Sequence, residues 1–192
     1  MNTPIDISNK KITTERLTLR PWRPSDLDDL FGYASVDGVG QMAGWMPHKD
    51  RDESLGILNM FIEGKKTFAL ERRGRVIGSL GIEEYSEDLF PEYAPLRCRE
   101  LGFVLAKDQW GQGLMPEAVD AVCRWLLEEE SLDVLFCGHF DWNRQSARVQ
   151  EKCGFHEIAQ ISKYMKQIGK TENVVFIILT KEDYLFKGGQ NT

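Results

Sequence analysis

The stretch Glu100–Glu117, ELGFVLAKDQWGQGLMPE, decides how this 192-residue chain is read. Leu101, Phe103 and Leu105 alternate with Glu100, Gly102 and Val104, the two-residue period of a strand. A short polar turn leads into Trp110-Gly111-Gln112-Gly113-Leu114-Met115-Pro116-Glu117, and an amphipathic helix follows, with Ala118, Val119, Val122, Trp125 and Leu126 on one face. Strand, glycine turn and helix together form an anion site. The first N–H groups of a helix lack intrahelical acceptors and carry the positive end of its dipole, so a phosphate there is hydrogen-bonded and electrostatically favoured. Gly111 and Gly113 let the main chain curl and a phosphate approach closely, and Pro116 suits a first helical turn, where its missing N–H costs nothing. No Gly-Lys-Ser/Thr run follows, as a Walker loop requires, and Pro116 stands where a dinucleotide fingerprint needs its third glycine. A tight connection without a ligand has the same composition.

With 42% hydrophobic and 28% charged residues, the chain reads as a soluble globular protein, a single domain over residues 1–192 with its core at about 12–184. A net charge of −6 argues against generic nucleic-acid binding and tolerates a cationic amine substrate. Cys98, Cys123, Cys137 and Cys153 lack C-x-x-C spacing and, with His48, His139 and His156, give no metal-ligand pattern. Reduced thiols, no membrane-length apolar run and no signal-peptide core point to the cytoplasm.

Residues 1–11 read as a loose leader and residues 12–22 as one strand, with Ser25 as the N-cap of a helix that follows. A glycine-rich loop (36–50), a helix (about 52–62) stopped by Gly64, and two strands forming a hairpin at Arg73-Gly74 come next. Residues 86–97 read as a solvated acidic connection. After the central helix come a strand (132–141), a short helix (145–153) closed by Gly154, and strands at 156–167 and 172–180. The order β-α-α-β-β-β-α-β-α-β-β gives an α/β (α+β) fold around a mixed sheet.

Trp110-Gly111-x-Gly113-x-x-x-Glu117-Ala118 resembles the acetyl-CoA pyrophosphate loop of the GNAT acetyltransferases, in the form of the ribosomal-protein N-terminal acetyltransferase (RimJ/RimL-like) branch. The run T-x-R-L-x-L-R-P-W-x-x-x-D at residues 14–26 resembles the opening of that branch. Asn143-x-x-Ser146, followed by Glu151-Lys152-x-Gly154-Phe155, resembles the second signature of the family. Met115 is larger than the residue usual at its position. Gln150, four residues before Gly154, replaces the tyrosine that many members use to protonate the leaving thiolate.

The resemblance implies a mostly antiparallel GNAT sheet flanked by helices. It implies acetyl transfer from acetyl-CoA to a primary amine, a protein N-terminus or a small molecule, by direct attack. In such enzymes the strand at 101–105 parts from its neighbour, and the main chain of Phe103, Val104 and Leu105 receives the pantetheine arm. An N–H of Phe103 or Val104 then polarises the thioester carbonyl, a donor worth about 3 kcal/mol. The pyrophosphate falls to Trp110, Gly111, Gln112, Gly113, Leu114 and Met115. Asn143, Ser146 and Lys152 complete the cofactor set, and Ser146 or a water serves the leaving thiolate. Glu100 is the first choice of general base, with Glu83 and Glu84 as alternatives, because an attacking amine must be neutral. A Cys137–His139 nucleophile is a rival mechanism. A non-catalytic acyl-CoA-binding or sensing module and a protein-interaction domain without cofactor are the rival functions. Acceptor choice would lie in the loops at 36–50 and 86–97, and the strand NVVFIILT (173–180) offers an edge for a homodimer.

Overall fold

The computed structural model describes residues 1–188 and contains one eight-stranded sheet in the order β1-β2-β3-β4-β5-β6-β8-β7. The strands are β1 (Ile12–Thr13), β2 (Thr18–Pro21), β3 (Thr67–Arg72), β4 (Arg75–Glu83), β5 (Cys98–Leu105), β6 (Val134–Phe140), β7 (His156–Met165) and β8 (Lys170–Thr180). Only β5 and β6 run parallel; every other neighbouring pair is antiparallel. Helices α1 (Leu27–Ala34) and α2 (Arg51–Gly64) precede β3, and α3 (Leu114–Arg124) links β5 to β6. Helix α4 (Arg144–Cys153) links β6 to β7, and α5 (Lys181–Gly188) follows β8.

Local chemistry explains most boundaries. Asp50 caps α2 by accepting from the Glu53 N–H at 2.9 Å. Arg73 (φ 53°) and Gly74 (φ 78°) are both left-handed, the backbone a two-residue hairpin requires. Alternation along β4 and β5 sends Leu80, Ile82, Leu101 and Leu105 into the core shared with α3 and α4. Trp22, Leu30, Leu58 and Ala69 build a second apolar cluster with α1 and α2.

Several expectations are corrected. The predicted strand at 12–22 is two short strands in a hairpin, Ile12 opposite Leu19, because Thr14–Leu17 turn: the Thr14 N–H donates to the Leu17 carbonyl at 2.9 Å and the Leu17 N–H to the Thr14 hydroxyl at 3.0 Å. Ser25 is not a cap. Asp26, 6% exposed, does the binding there, receiving both guanidinium Nη atoms of Arg20 at 2.8 and 2.9 Å and the Arg23 N–H at 2.8 Å. Helix α2 ends on Lys65 in the left-handed conformation rather than on Gly64. The leader is held: Asn2 bridges Cys98 and exchanges side-chain hydrogen bonds with the Tyr85 main chain, while Ile7 is buried in the main core.

The 86–97 connection is mostly exposed, as expected, and is anchored at Phe90, which is buried and packs, with Tyr93 and the preceding Tyr85, around Phe136. Strand β8 is paired on both sides, by β6 and β7, so NVVFIILT has no edge to offer a second copy; β7 has the open edge.

Candidate active site

The parting of β5 from β6 creates the site. Their parallel pairing covers Cys98–Leu101 against Val134–Cys137, after which β5 continues to Leu105 with no strand on that side among the described residues. The antiparallel register with β4 fixes which groups are left over. The Ala106 N–H donates to the Ile77 carbonyl at 2.7 Å, and Leu105 stands opposite Gly78, so alternate residues (Ala106, Val104, Gly102, Glu100) turn their peptide groups toward β4. Leu101, Phe103 and Leu105 turn theirs toward the gap. Two contacts agree: the Leu101 carbonyl accepts from the Cys137 thiol at 3.1 Å, and the Leu105 carbonyl accepts from Trp110 Nε1–H at 2.8 Å. Of the two donors expected from sequence, the register therefore presents the N–H of Phe103 to the gap and spends that of Val104 on β4.

The glycine turn stands at the end of β5. Gly111 and Gly113 both have φ +74°, a conformation that favours glycine, and α3 begins directly after Gly113. Arg16 holds the turn from behind, donating to the carbonyls of Gln112 (2.8 Å) and Gly113 (3.2 Å). Its Nε donates to Glu117 Oε2 at 2.6 Å, while Glu117 Oε1 accepts from the Arg16 N–H at 2.8 Å and the Thr14 hydroxyl at 2.5 Å. Burial alone would raise the Glu117 pKa, but these donors hold it below the usual 4.5. With its carbonyls tied back, the turn leaves its N–H groups and the first turn of α3 for an anion.

A cleft of about 360 Å³ joins the gap to the turn. Of the residues expected to hold a cofactor, Phe103, Val104, Leu105, Trp110, Gly111, Gly113, Leu114, Met115, Asn143, Ser146 and Lys152 all line it. Gln112 does not: its side-chain carbonyl accepts from Arg72 at 2.8 Å. Met115 is 5% exposed, so the core absorbs most of its extra bulk. Asn143 is both cap and clamp. Its carbonyl accepts from the Ser146 N–H at 3.1 Å, and its amide donates to the Met42 carbonyl at 3.0 Å, fastening the 36–50 loop to α4. Val39, Met42 and Ala43 of that loop, which was expected to shape the acceptor site, form a wall of this cleft. Gln145, Arg148 and Val149 also line it, and this was readable: with Lys152 they follow the 0, 3, 4, 7 spacing of one helical face.

Glu100 lies outside the cleft lining. It sits opposite Glu83 on β4 and Phe136 on β6, where β5 and β6 are still paired, about 10 Å back along the strand from Phe103. Burial, seconded by Glu83 and opposed by Lys163, pushes its carboxyl up to about 7. Glu83 is ion-paired with Lys66, and the exposed Glu84 faces away toward Arg99 at 3.9 Å.

The Cys137–His139 pair does not form. Cys137 is fully buried, its thiol pKa pushed well up by burial, and its S–H is spent on Leu101. His139 Nδ1 meets Gln150 Oε1 at 2.6 Å instead.

A model of the acetyltransferase (GNAT) domain matches residues 16–156, most of the chain and all of this site. The chain belongs to the GNAT acetyltransferases. Such enzymes are acyltransferases that take their acetyl group from acetyl-CoA, and the cleft fits that cosubstrate: a dipole-backed turn for phosphates, and a strand edge with free peptide groups for an amide-bearing arm. The chain is 24% identical to an uncharacterized N-acetyltransferase, p20, of Bacillus licheniformis over 178 residues, covering 89% of this chain and 96% of p20. A GNAT-family acetyltransferase from Bacillus anthracis shares the fold with a TM-score of 0.78 at 20% identity, covering 90% of this chain and 99% of that one. Spermidine N-acetyltransferase from Vibrio cholerae, solved with CoA and spermine, has a TM-score of 0.73 at 18% identity, covering 90% and 99%. Among the described residues, no cluster of His, Cys, Asp and Glu could hold a metal ion, and no helix is long and apolar enough to cross a membrane.

Proposed function

We propose that this chain, read as one GNAT domain, acetylates a primary amine by direct attack of the amine on acetyl-CoA, both held in one site. The observation that carries this reading is the conjunction, in one cleft, of the left-handed glycine turn and the unpaired peptide groups of β5. The turn and the start of α3 would hold the pyrophosphate, with Arg148 and Lys152 adding positive charge from α4. Phe103 and Leu105 would pair with the pantetheine arm, and the Phe103 N–H would stabilise the negative charge that develops on the thioester oxygen. Glu100, with its raised pKa, would take the proton of the amine through intervening water.

The Thr14–Asp26 motif and the glycine turn favour the RimJ/RimL-like branch and hence an α-amine acceptor; the likeness to a spermidine acetyltransferase makes a polyamine the alternative. Four buried cysteines suit the reducing cytoplasm. The test is release of CoA thiol by the purified protein with acetyl-CoA and a panel of spermidine, lysine and a tripeptide with a free α-amine. Release with one class assigns the acceptor. Tight acetyl-CoA binding with no release on any amine would instead mean a sensing module.

A further inference from the structure

Gln150 occupies the α4 position where many relatives carry an acidic tyrosine, and it is 1% exposed with its amide fully engaged. The Gly138 carbonyl, which can only accept, lies 3.1 Å from the amide nitrogen and so fixes which way the amide points. Oε1 then faces His139 Nδ1 at 2.6 Å and can only accept, so the His139 ring carries a hydrogen on Nδ1. The second amide hydrogen is shared between Cys137 Sγ at 3.0 Å, which accepts because its own S–H goes to the Leu101 carbonyl, and Ser146 Oγ at 3.2 Å. Ser146 Oγ is thus an acceptor toward Gln150, and its own hydrogen is left for the cleft it lines.

We propose that Gln150 is a positioning residue for acetyl transfer: by occupying the acceptor side of the Ser146 hydroxyl, it presents that hydroxyl as a donor to the departing sulfur. The proposal rests on the reading given under Proposed function. The amine nitrogen bonds to the carbonyl carbon, the C–S bond breaks with its electron pair going to sulfur, and the proton of the amine leaves by way of Glu100. A thiol with a pKa of about 8.5 departs readily as a thiolate held by the Ser146 O–H, so no proton need leave the serine. His139 acts behind Gln150, holding the amide in place.

The test is a double-mutant cycle of Gln150→Met and Ser146→Ala, read as kcat and KM for acetyl-CoA with the best amine of the panel, together with 15N NMR of His139. Each single variant should lower kcat about tenfold or more at nearly unchanged KM, and the double variant should be no slower than Ser146→Ala alone. The Nδ1–H tautomer should be present in wild type and lost as the dominant form in Gln150→Met. Losses that multiply in the double variant, or full kcat in Gln150→Met, would overturn the positioning role while leaving the acetyltransferase reading intact. If Gln150→Met does not fold, Gln150→Leu replaces it: a hydrocarbon side chain at that position offers Ser146 no donor, the same loss is expected, and full activity would overturn the proposal. A wild type that releases no thiol with any amine removes the function itself and the proposal with it.

Discussion

Glu117 shows how much one carboxylate organises. It ties Thr14 and Arg16, about a hundred residues away in sequence, to the first turn of α3, and Arg16 in turn restrains the carbonyls of the glycine turn. Because the folded-state pKa of Glu117 is depressed, its contribution to stability is present above the unfolded value of about 4.5 and disappears as pH falls through the folded value. Glu117→Gln should therefore weaken acetyl-CoA binding about tenfold at pH 7, measured by titration calorimetry, and the variant should lose less stability than wild type on acidification. Glu100 has the opposite sign. Its raised pKa, about 7, means that the folded state disfavours the carboxylate, so stability falls as pH rises from the unfolded value toward 7. Only the ionised form accepts a proton, so kcat/KM should rise with pH through about 7. Glu100→Gln should abolish that limb, lower kcat/KM by about 10²-fold or more, and raise the melting temperature at pH 8. A rate loss without the gain in stability would count against the buried-base account.

At the scale of elements, the site depends on β5 having a partner on one side only beyond Leu101. Phe103→Pro removes an N–H that faces the gap, whereas Val104→Pro removes one bonded to β4. The first variant should keep its circular dichroism and lose about 10²- to 10³-fold in kcat; the second should lose cooperative folding. Equal damage to folding from both would mean that the register assignment is wrong. Elements set by local signals were legible in the sequence. The alternation in β5, the Arg73-Gly74 hairpin and the stripe of α3 each need only nearby residues. What was not legible depends on distant partners. Thr14–Leu17 turn instead of extending because Glu117 is there to receive them, and Asn2 is held because the Tyr85 main chain is. The two sequence motifs that resemble the family far apart in the chain, 14–26 and 110–118, are one physical unit joined by Arg16 and Glu117.

Among the described residues, three apolar clusters support one sheet, and the cleft lies where α3, α4 and the 36–50 loop meet the end of β5. The sequence showed the α3 and α4 sides through their glycine and asparagine signals, but it gave the 36–50 loop no partner. Its placement follows from Asn143 holding the Met42 carbonyl. Because ligand would bind the assembled walls and not the unfolded chain, acetyl-CoA at a hundred times its Kd should add about 2.7 kcal/mol of stability. For a chain of this size that is a rise in Tm of about 5–10 °C, measurable by scanning calorimetry. The account is tested most directly by titrating the protein with acetyl-CoA beside Gly113→Glu, which puts a negative side chain at a left-handed position of the anion turn. Saturable heat in wild type and none in a variant that still unfolds cooperatively is the expected result. Absence of heat in wild type, or equal affinity in Gly113→Glu, would show that the glycine turn is not a phosphate site.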